Sequence, residues 1–406
     1  MNSLTKIYKT LSRNNLPIII KKSNGSKLYD IFGNSYIDAT SSYCSANFGH
    51  NNPIFKHKLM KQIDELSVCP RYLENNNLNK LATTVNKYFI DKINLKKNQY
   101  LQIIPSLNGV DAFETALKVS RAWAHEIKKI KIGESKQIYM DKCFHGRTLA
   151  AISMNNNLYQ TKFYPKVNNF ISCHYNNIEY LQNILENNST ISAIFVEPVQ
   201  AEGGIIVPHY DYLFRIRKLC DQYNVLMICD EIQTGLFRTG NLLCLEKSNI
   251  KADIVLLGKS LGGGFLPISL CIGSNEVMSC IKEGEHGSTF GGNPLASNMA
   301  NEVLEYVNNN NFKNDINDLS HIYKRNLYQL KEKYKFIKEI RSSGMLFGIE
   351  LDDKIMIDNV CNSLTEYNIL TKNASNNTIR LSPPFIITNY ETEELFDGFD
   401  KCFNKI

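Results

Sequence analysis

Two residues have types and settings that could do chemistry together. Asp230 follows the apolar run Val225–Cys229, and Lys259 follows a second apolar run ending at Leu257, 29 positions later and just before Gly262-Gly263-Gly264. An acid at the end of a buried strand points out of the sheet toward a site, although an Asp there can also simply cap a turn. A Lys between a buried strand and a Gly-rich loop is badly placed for ordinary surface. If both runs are neighbouring parallel strands, their ends aim a carboxylate and an amine at one ligand.

Pyridoxal phosphate needs such a pair. Its aldehyde forms an imine with a Lys amine, which the substrate amine then displaces. Its ring nitrogen must stay protonated, and that calls for an anion beside it. At about 3 Å and an effective dielectric near 20, the attraction is about 5 kcal/mol. At ~1.4 kcal/mol per pKa unit this holds the pyridinium protonated, which a neutral Asn could not do. A phosphate cradle is also required. Ser106-Leu107-Asn108-Gly109-Val110 precedes a helical pattern whose first amides could receive a phosphate, though the same residues serve equally as turn punctuation. His286–Gly292 is a second small-residue loop with a hydroxyl before a helix, again with a plain turn as the alternative. Cys143–Thr148 offers Phe144, at the end of another strand, as a ring to stack on the cofactor or as a core residue.

Elements that would position these groups follow from the patterning. Tyr100–Ile104, Gln137–Met140, Ile191–Glu197, Val225–Cys229, Ile254–Leu257 and Ile268–Ile272 read as short buried strands. Asp111–His125, Asp211–Gln222, Leu295–Val307 and Asn314–Lys333 read as helices. The alternation predicts an α/β chain with a mostly parallel central sheet covered by helices. Residues 16–40 predict a small meander: Pro17–Lys21, Lys27–Phe32, a turn at Gly33-Asn34, and Tyr36–Ala39. Beyond about 310 come two helices and short strands around Met345–Leu351 and Thr378–Leu381. The expected division is 1–50 and 306–406 for a smaller domain made of both chain ends, and 51–305 for the large cofactor-binding domain.

Composition excludes some functions. The chain has 406 residues and a thinly spread formal charge of +6, with no basic block interleaved with aromatics, so nucleic acid is not an expected partner. No apolar stretch approaches the roughly 18–20 residues that span a bilayer. No secretory apolar region follows Met1, and residues 1–29, with Lys and Arg but no Asp or Glu, read as a solvated basic arm in preference to an organellar presequence. Eleven scattered Cys, with no CxxC and no His at zinc spacing, read as reduced thiols of a cytoplasmic enzyme without a metal site. The Asn runs at 155–157 and 308–311 read as loop filler.

From about residue 16 to 385 the chain resembles the class III, fold-type I pyridoxal-phosphate aminotransferases. The stretches that carry the resemblance are Glu197–Gly204, Asp230–Gly235 with Arg238-Thr239-Gly240, and Gly287–Pro294, with Lys259 between the last two. Within the class, Asn15–Ile20, Ser42–His50, Glu231–Gly240, Asp253–Ser260 and Gly284–Pro294 are most similar to the ornithine enzymes, ahead of the acetylornithine, GABA and diamine ones. The resemblance implies a homodimer that moves the δ-amino group of ornithine to 2-oxoglutarate by a ping-pong route, giving glutamate 5-semialdehyde and glutamate.

The resemblance also implies roles. Lys259 is the Schiff-base and proton-transfer lysine, Asp230 the pyridinium partner, Gln233 the ligand of the ring hydroxyl and Phe144 the stacking ring. Asn108, Gly109 and Val110 hold the phosphate, joined by Thr289 of the neighbouring subunit. Arg147 binds the carboxylate far from the reacting amine. Glu202 masks Arg380 while ornithine reacts and frees it to bind the α-carboxylate of glutamate or 2-oxoglutarate. Tyr43 helps present the δ-amine. Three positions depart from the pattern: Asn108 stands for the usual Ser or Thr, Ala201 for Gly, and Glu74 for a specificity Tyr. Either Tyr72 replaces that Tyr through a shifted loop, or Glu74 attracts a cationic amine, which leaves lysine-like and diamine donors open. A further alternative, a catalytically inactive homologue, is disfavoured by the intact Asp230, Lys259, Thr289, Arg147 and Arg380.

Overall fold

The computed structural model describes residues 16–155, 162–308, 312–375 and 377–406. Most of the basic arm and parts of both Asn runs lie outside the described residues. Three short strands come first: β1 (Ile20–Asn24), β2 (Lys27–Asp30) and β3 (Ser35–Asp38). Seven follow: β4 (Leu101–Ser106), β5 (Lys136–Met140), β6 (Phe170–Cys173), β7 (Ile191–Val196), β8 (Leu226–Asp230), β9 (Ile254–Leu257) and β10 (Ser269–Ser274). The last are β11 (Ile337–Ser343), β12 (Leu346–Leu351), β13 (Ile369–Leu370), β14 (Lys372–Ala374) and β15 (Thr378–Leu381).

The central sheet has the order β4-β10-β9-β8-β7-β5-β6. β6, β5, β7, β8 and β9 run parallel, while β10 is antiparallel to both β9 and β4. β7, β8, β9 and β10 are buried at every position, as a sheet covered on both faces demands. The predicted strands are all present, with ends shifted by one or two residues. Of the predicted N-terminal meander, the first strand begins at Ile20 instead of Pro17, and it pairs with β2 with a register shift after Ile20.

The two chain ends meet. β13 adds in parallel to β3, closing a four-stranded sheet β1-β2-β3-β13. The other C-terminal strands form the sheet β11-β12-β15-β14. One continuous apolar core runs from Ile37 through β7–β9 to Phe403. Among the described residues no helix is long and apolar enough to cross a membrane.

Helix starts are set by short polar side chains. Asn52, Asn75 and Asn177 each accept an amide of their own first turn. The Gly109–Glu126 helix begins with a reciprocal box in which Asn108 accepts the Asp111 amide and Asp111 accepts the Asn108 amide. That box fixes where the helix starts relative to the end of β4.

Candidate active site

The carboxyl ends of β4, β5, β7, β8 and β9 face one region, where an open α/β sheet collects its ligands. β8 ends in Asp230 and β9 runs through Gly258 to Lys259. Alternation along the chain separates the neighbouring acids. Glu231 turns away to accept Thr234 Oγ1 and, at 2.9 Å, the Leu245 amide. Asp230 stays at the site, where its Oδ2 lies 2.7 Å from His145 Nδ1 and its Oδ1 accepts the Ile232 amide at 3.1 Å.

Lys259 has φ 48°, a left-handed conformation that a side chain other than Gly's adopts only where its surroundings impose it. Its Nζ donates to Gln233 Oε1, and Gln233 Nε2 reaches Cys44 Sγ at 3.7 Å. Burial pulls the Lys259 amine below the ordinary lysine range. Cys44, Glu202 and Asp230 oppose that only in part, and Arg380 adds to it.

The loop after β5 carries Phe144, His145 and Arg147. Its backbone is anchored where Glu197 Oε1, just past β7, accepts the Phe144 amide at 2.8 Å. Gly146 has φ 126°, and a Cβ there would lie 2.3 Å from Val110 Cγ2, so only Gly lets this loop pass the start of the Gly109–Glu126 helix. Arg147 is exposed, with its guanidinium 5.8 Å from the Phe144 ring centre. His145 was not singled out from the sequence. Its ring is buried and stacked on Phe113 with centroids 5.0 Å apart. Burial opposes charge on the imidazole, but Cys143 and the Asp230 carboxylate outweigh it and raise it well above the ordinary histidine value.

The chain ends supply the other wall. Arg380, in β15, is wholly buried, and its Nη1 lies 2.6 Å from Glu202 Oε1. Nε and Nη2 of Arg380 find no hydrogen-bond partner among the described residues. Burial raises the Glu202 carboxyl, but Arg380, Lys259 and Arg147 together hold it below its usual value. The Tyr43 ring centre is 5.6 Å from the Arg380 guanidinium carbon.

Lys259, Asp230, Gln233, Phe144, Arg147, Glu202, Arg380 and Tyr43 thus lie around one region. Asn108, Gly109 and Val110 stand at the start of the helix after β4, with Asn108 O held by Ser269 Oγ at 2.7 Å. Thr289 and Glu74 lie elsewhere. Thr289 lines a cavity of about 580 Å³ with Ser288, Gly287 and Val68–Arg71. Glu74 is exposed, and its Oε2 accepts Asn79 Nδ2 at 3.1 Å. Among the described residues, no hydrogen bond or ion pair joins either to Lys259, Asp230 or Arg380.

The donor set fits pyridoxal phosphate. It offers an amine whose charge burial disfavours, a buried carboxylate backed by an imidazole, an aromatic ring and a helix start after β4. It can also grip two carboxylates, at Arg147 and Arg380. Eleven cysteines are free, ten of them buried, and no cluster of three or more His, Cys, Asp or Glu that could hold a metal ion is found among the described residues.

A family model described as aminotransferase class-III matches residues 8–403. Over 402 residues the chain is 36% identical to ornithine aminotransferase 1 of Staphylococcus saprophyticus, covering 99% of this chain and 98% of that protein. A crystal structure of the ornithine aminotransferase from Toxoplasma gondii ME49, 34% identical, superposes with a TM-score of 0.91 over 99% of this chain and 93% of that one. Acetylornithine aminotransferase from Elizabethkingia anophelis, 30% identical, superposes with a TM-score of 0.85 over 98% and 96%.

Proposed function

We propose, from the premise that this chain belongs to the class-III aminotransferases, that it transfers the δ-amino group of ornithine to 2-oxoglutarate, giving glutamate 5-semialdehyde and glutamate. The family depends on pyridoxal phosphate, which when bound takes the amino group from the donor and passes it to the oxo acid. Lys259 would hold the cofactor, and its Nζ, kept low by burial, is suited to accept and return a proton. Asp230, backed by His145, would supply the anion for the ring nitrogen. Gln233 would meet the ring hydroxyl, Phe144 would cover a ring face, and Asn108, Gly109 and Val110 would receive the phosphate.

The ion pair between Glu202 and the wholly buried Arg380 is the observation that carries the ornithine reading. While Glu202 occupies Arg380, no α-carboxylate can sit beside the reacting carbon, and Arg147 can hold ornithine by its distant carboxylate. A donor then presents its δ-amine. Once Glu202 turns away, Arg380 binds the α-carboxylate of glutamate or 2-oxoglutarate and Arg147 the γ-carboxylate. Tyr43, over Arg380, limits the space beside the donor.

The same reading makes the protein a homodimer with shared sites. Within one chain Thr289 lines a cavity with Val68–Arg71, and Leu66, Val68, Leu73 and Phe290 are exposed. In a homodimer Thr289 would reach the neighbour's phosphate, and Glu74 would be available to the donor's free amine. We place the enzyme in the cytoplasm and the domain boundaries near residues 50 and 305.

Single-turnover mixing of the holoenzyme with ornithine, acetylornithine, lysine, GABA and putrescine, followed by cofactor absorbance, tests this. Ornithine should react fastest. A preference for acetylornithine or for a diamine reassigns the donor, and no absorbance change with any amine rejects an active transferase.

A further inference from the structure

After β3 the chain adopts a conformation that its residue types do not favour. Ser41, Ser42, Tyr43 and Cys44 have φ of 47°, 48°, 58° and 67°, four successive left-handed residues with no Gly, Asn or Asp among them. L side chains avoid this region, so such a turn persists only where its surroundings over-determine it. Tyr43, the residue this turn presents, is half-exposed and faces Arg380.

The surroundings are dominated by one carboxylate. Asp38, the last residue of β3, is almost wholly buried. Its Oδ1 accepts the Thr40 amide at 3.1 Å and Thr40 Oγ1 at 2.8 Å. Its Oδ2 accepts the Ser42 amide at 2.8 Å, Ser42 Oγ at 3.2 Å and His50 Nε2 at 2.9 Å. Five donors on one carboxylate saturate its acceptor positions. β3 is itself pinned by β13, where Asp38 pairs with Leu370. The turn is also tied to the Arg380 strand: Ser41 Oγ donates to Ser382 O at 2.6 Å, and Ser382 N donates to Ala39 O at 2.7 Å. Tyr43 and Arg380 are therefore carried on one hydrogen-bonded unit, in which Asp38 grips the residue directly before Tyr43.

We propose that Asp38 is a positioning residue for the amino donor: by clamping Thr40 and Ser42 it holds the left-handed turn Ser41–Cys44 and so sets the Tyr43 ring over Arg380, where the donor must pass. This rests on the reading that Tyr43 and Arg380 line the donor site. Asp38 acts only through Tyr43, so its effect belongs to the half-reaction in which Arg380 is masked.

The test uses the holoenzyme and both half-reactions. Asp38→Asn keeps the size and one acceptor oxygen but replaces the oxygen that grips either Thr40 or Ser42. The KM for ornithine should rise about tenfold, the order of a charge-assisted hydrogen bond, with the 2-oxoglutarate half-reaction changed by less than about twofold. In a Tyr43→Ala background the same substitution should alter the ornithine KM by less than about twofold, because the residue it acts through is gone. Equal losses in both half-reactions, or a full loss in the Tyr43→Ala background, overturns the proposal. Ser42→Ala, which removes only the hydroxyl bond to Asp38, should raise the ornithine KM about threefold, the scale of one weaker hydrogen bond. That second variant decides the matter if Asp38→Asn fails to fold, and an unchanged KM there overturns the proposal. If the wild-type enzyme prefers another amine, the ornithine reading falls, and the Asp38 dependence is judged on that amine by the same criteria.

Discussion

His145 Nδ1 lies 2.7 Å from Asp230 Oδ2, and both side chains are buried. A carboxylate in that setting only accepts, so Nδ1 carries the proton and the imidazole is the donor. The ring is locked from the other side by Phe113, 5.0 Å away and nearly parallel. Asp230 is thus oriented before any ligand arrives, with an oxygen edge left for a cationic ring. Replacing His145 by Ala would leave the buried acid without its charge-assisted partner, worth about 1.5–3 kcal/mol. His145→Ala should therefore slow the donor half-reaction about 10- to 100-fold and weaken cofactor binding. Stopped-flow absorbance with cofactor titration measures both, and a change under about twofold would show that Asp230 needs no such support.

Glu197 shares this buried pocket and gives a pH dependence. Burial, aided by repulsion from Asp230, pushes its carboxyl up to about 7, although His145, the Phe144 amide and Lys259 pull the other way. The folded value lies above the unfolded one near 4.5, so folding favours the protonated acid. That contribution is complete below pH 4.5 and is lost as pH rises toward 7. Two and a half units correspond to about 3 kcal/mol. Glu197→Gln cannot ionise, and its carbonyl still accepts the Phe144 amide. Its stability relative to wild type should rise by up to about 3 kcal/mol across this window and then level off. Urea unfolding at several pH values checks this, and a constant difference throughout rejects it.

Arg238 is a structural counterpart without a carboxylate partner among the described residues. Wholly buried, it donates to Met345 O at 2.7 Å and Pro383 O at 3.0 Å, bonds Asn47, and lies 4.4 Å from the Phe385 ring centre. Burial lowers it to about 10. A forked donor is needed because its acceptors come from three separate segments. Arg238→Met keeps much of the volume but leaves two buried carbonyls unsatisfied, a loss of about 3 kcal/mol. Arg238→Lys should recover less than half. Thermal or urea unfolding measures both, and a loss below about 1 kcal/mol would mean that water reaches those carbonyls.

These sites were unequally legible in the sequence. Asp230 and Lys259 could be read because each ends a run of apolar residues that only a doubly covered strand needs. His145 sits in the stretch Cys143–Thr148 beside Phe144, yet it lies 85 positions from Asp230, and only the spatial order β8-β7-β5 brings the two together. β6 was missed because it is a four-residue edge strand, only one residue of which is fully buried. The turn Ser41–Cys44 gave no signal, since its residue types do not ask for left-handed backbone. Outside the runs at 155–157 and 308–311, Asn224, Asn249 and Asn368 each end a helical segment in the left-handed region, which Asn tolerates better than most residues.

On the proposed reading, the Glu202–Arg380 pair separates the two half-reactions. Removing the guanidinium should cripple the step in which an α-carboxylate must bind beside the reacting carbon. Arg380→Ala should therefore lower kcat/KM for 2-oxoglutarate about 100-fold or more, on the scale of a lost charge-assisted pair, and leave ornithine within about tenfold. Glu202→Gln should act in the opposite sense. It unmasks Arg380, so glutamate gains relative to ornithine as the amino donor. The residual ornithine loss in Arg380→Ala reflects Glu202, which would then be an uncompensated acid with burial pushing it upward. Adding Glu202→Gln to Arg380→Ala should recover part of it. Rapid-mixing measurements of each half-reaction decide the matter: equal losses in both for Arg380→Ala would make the pair a structural ion pair and not a switch.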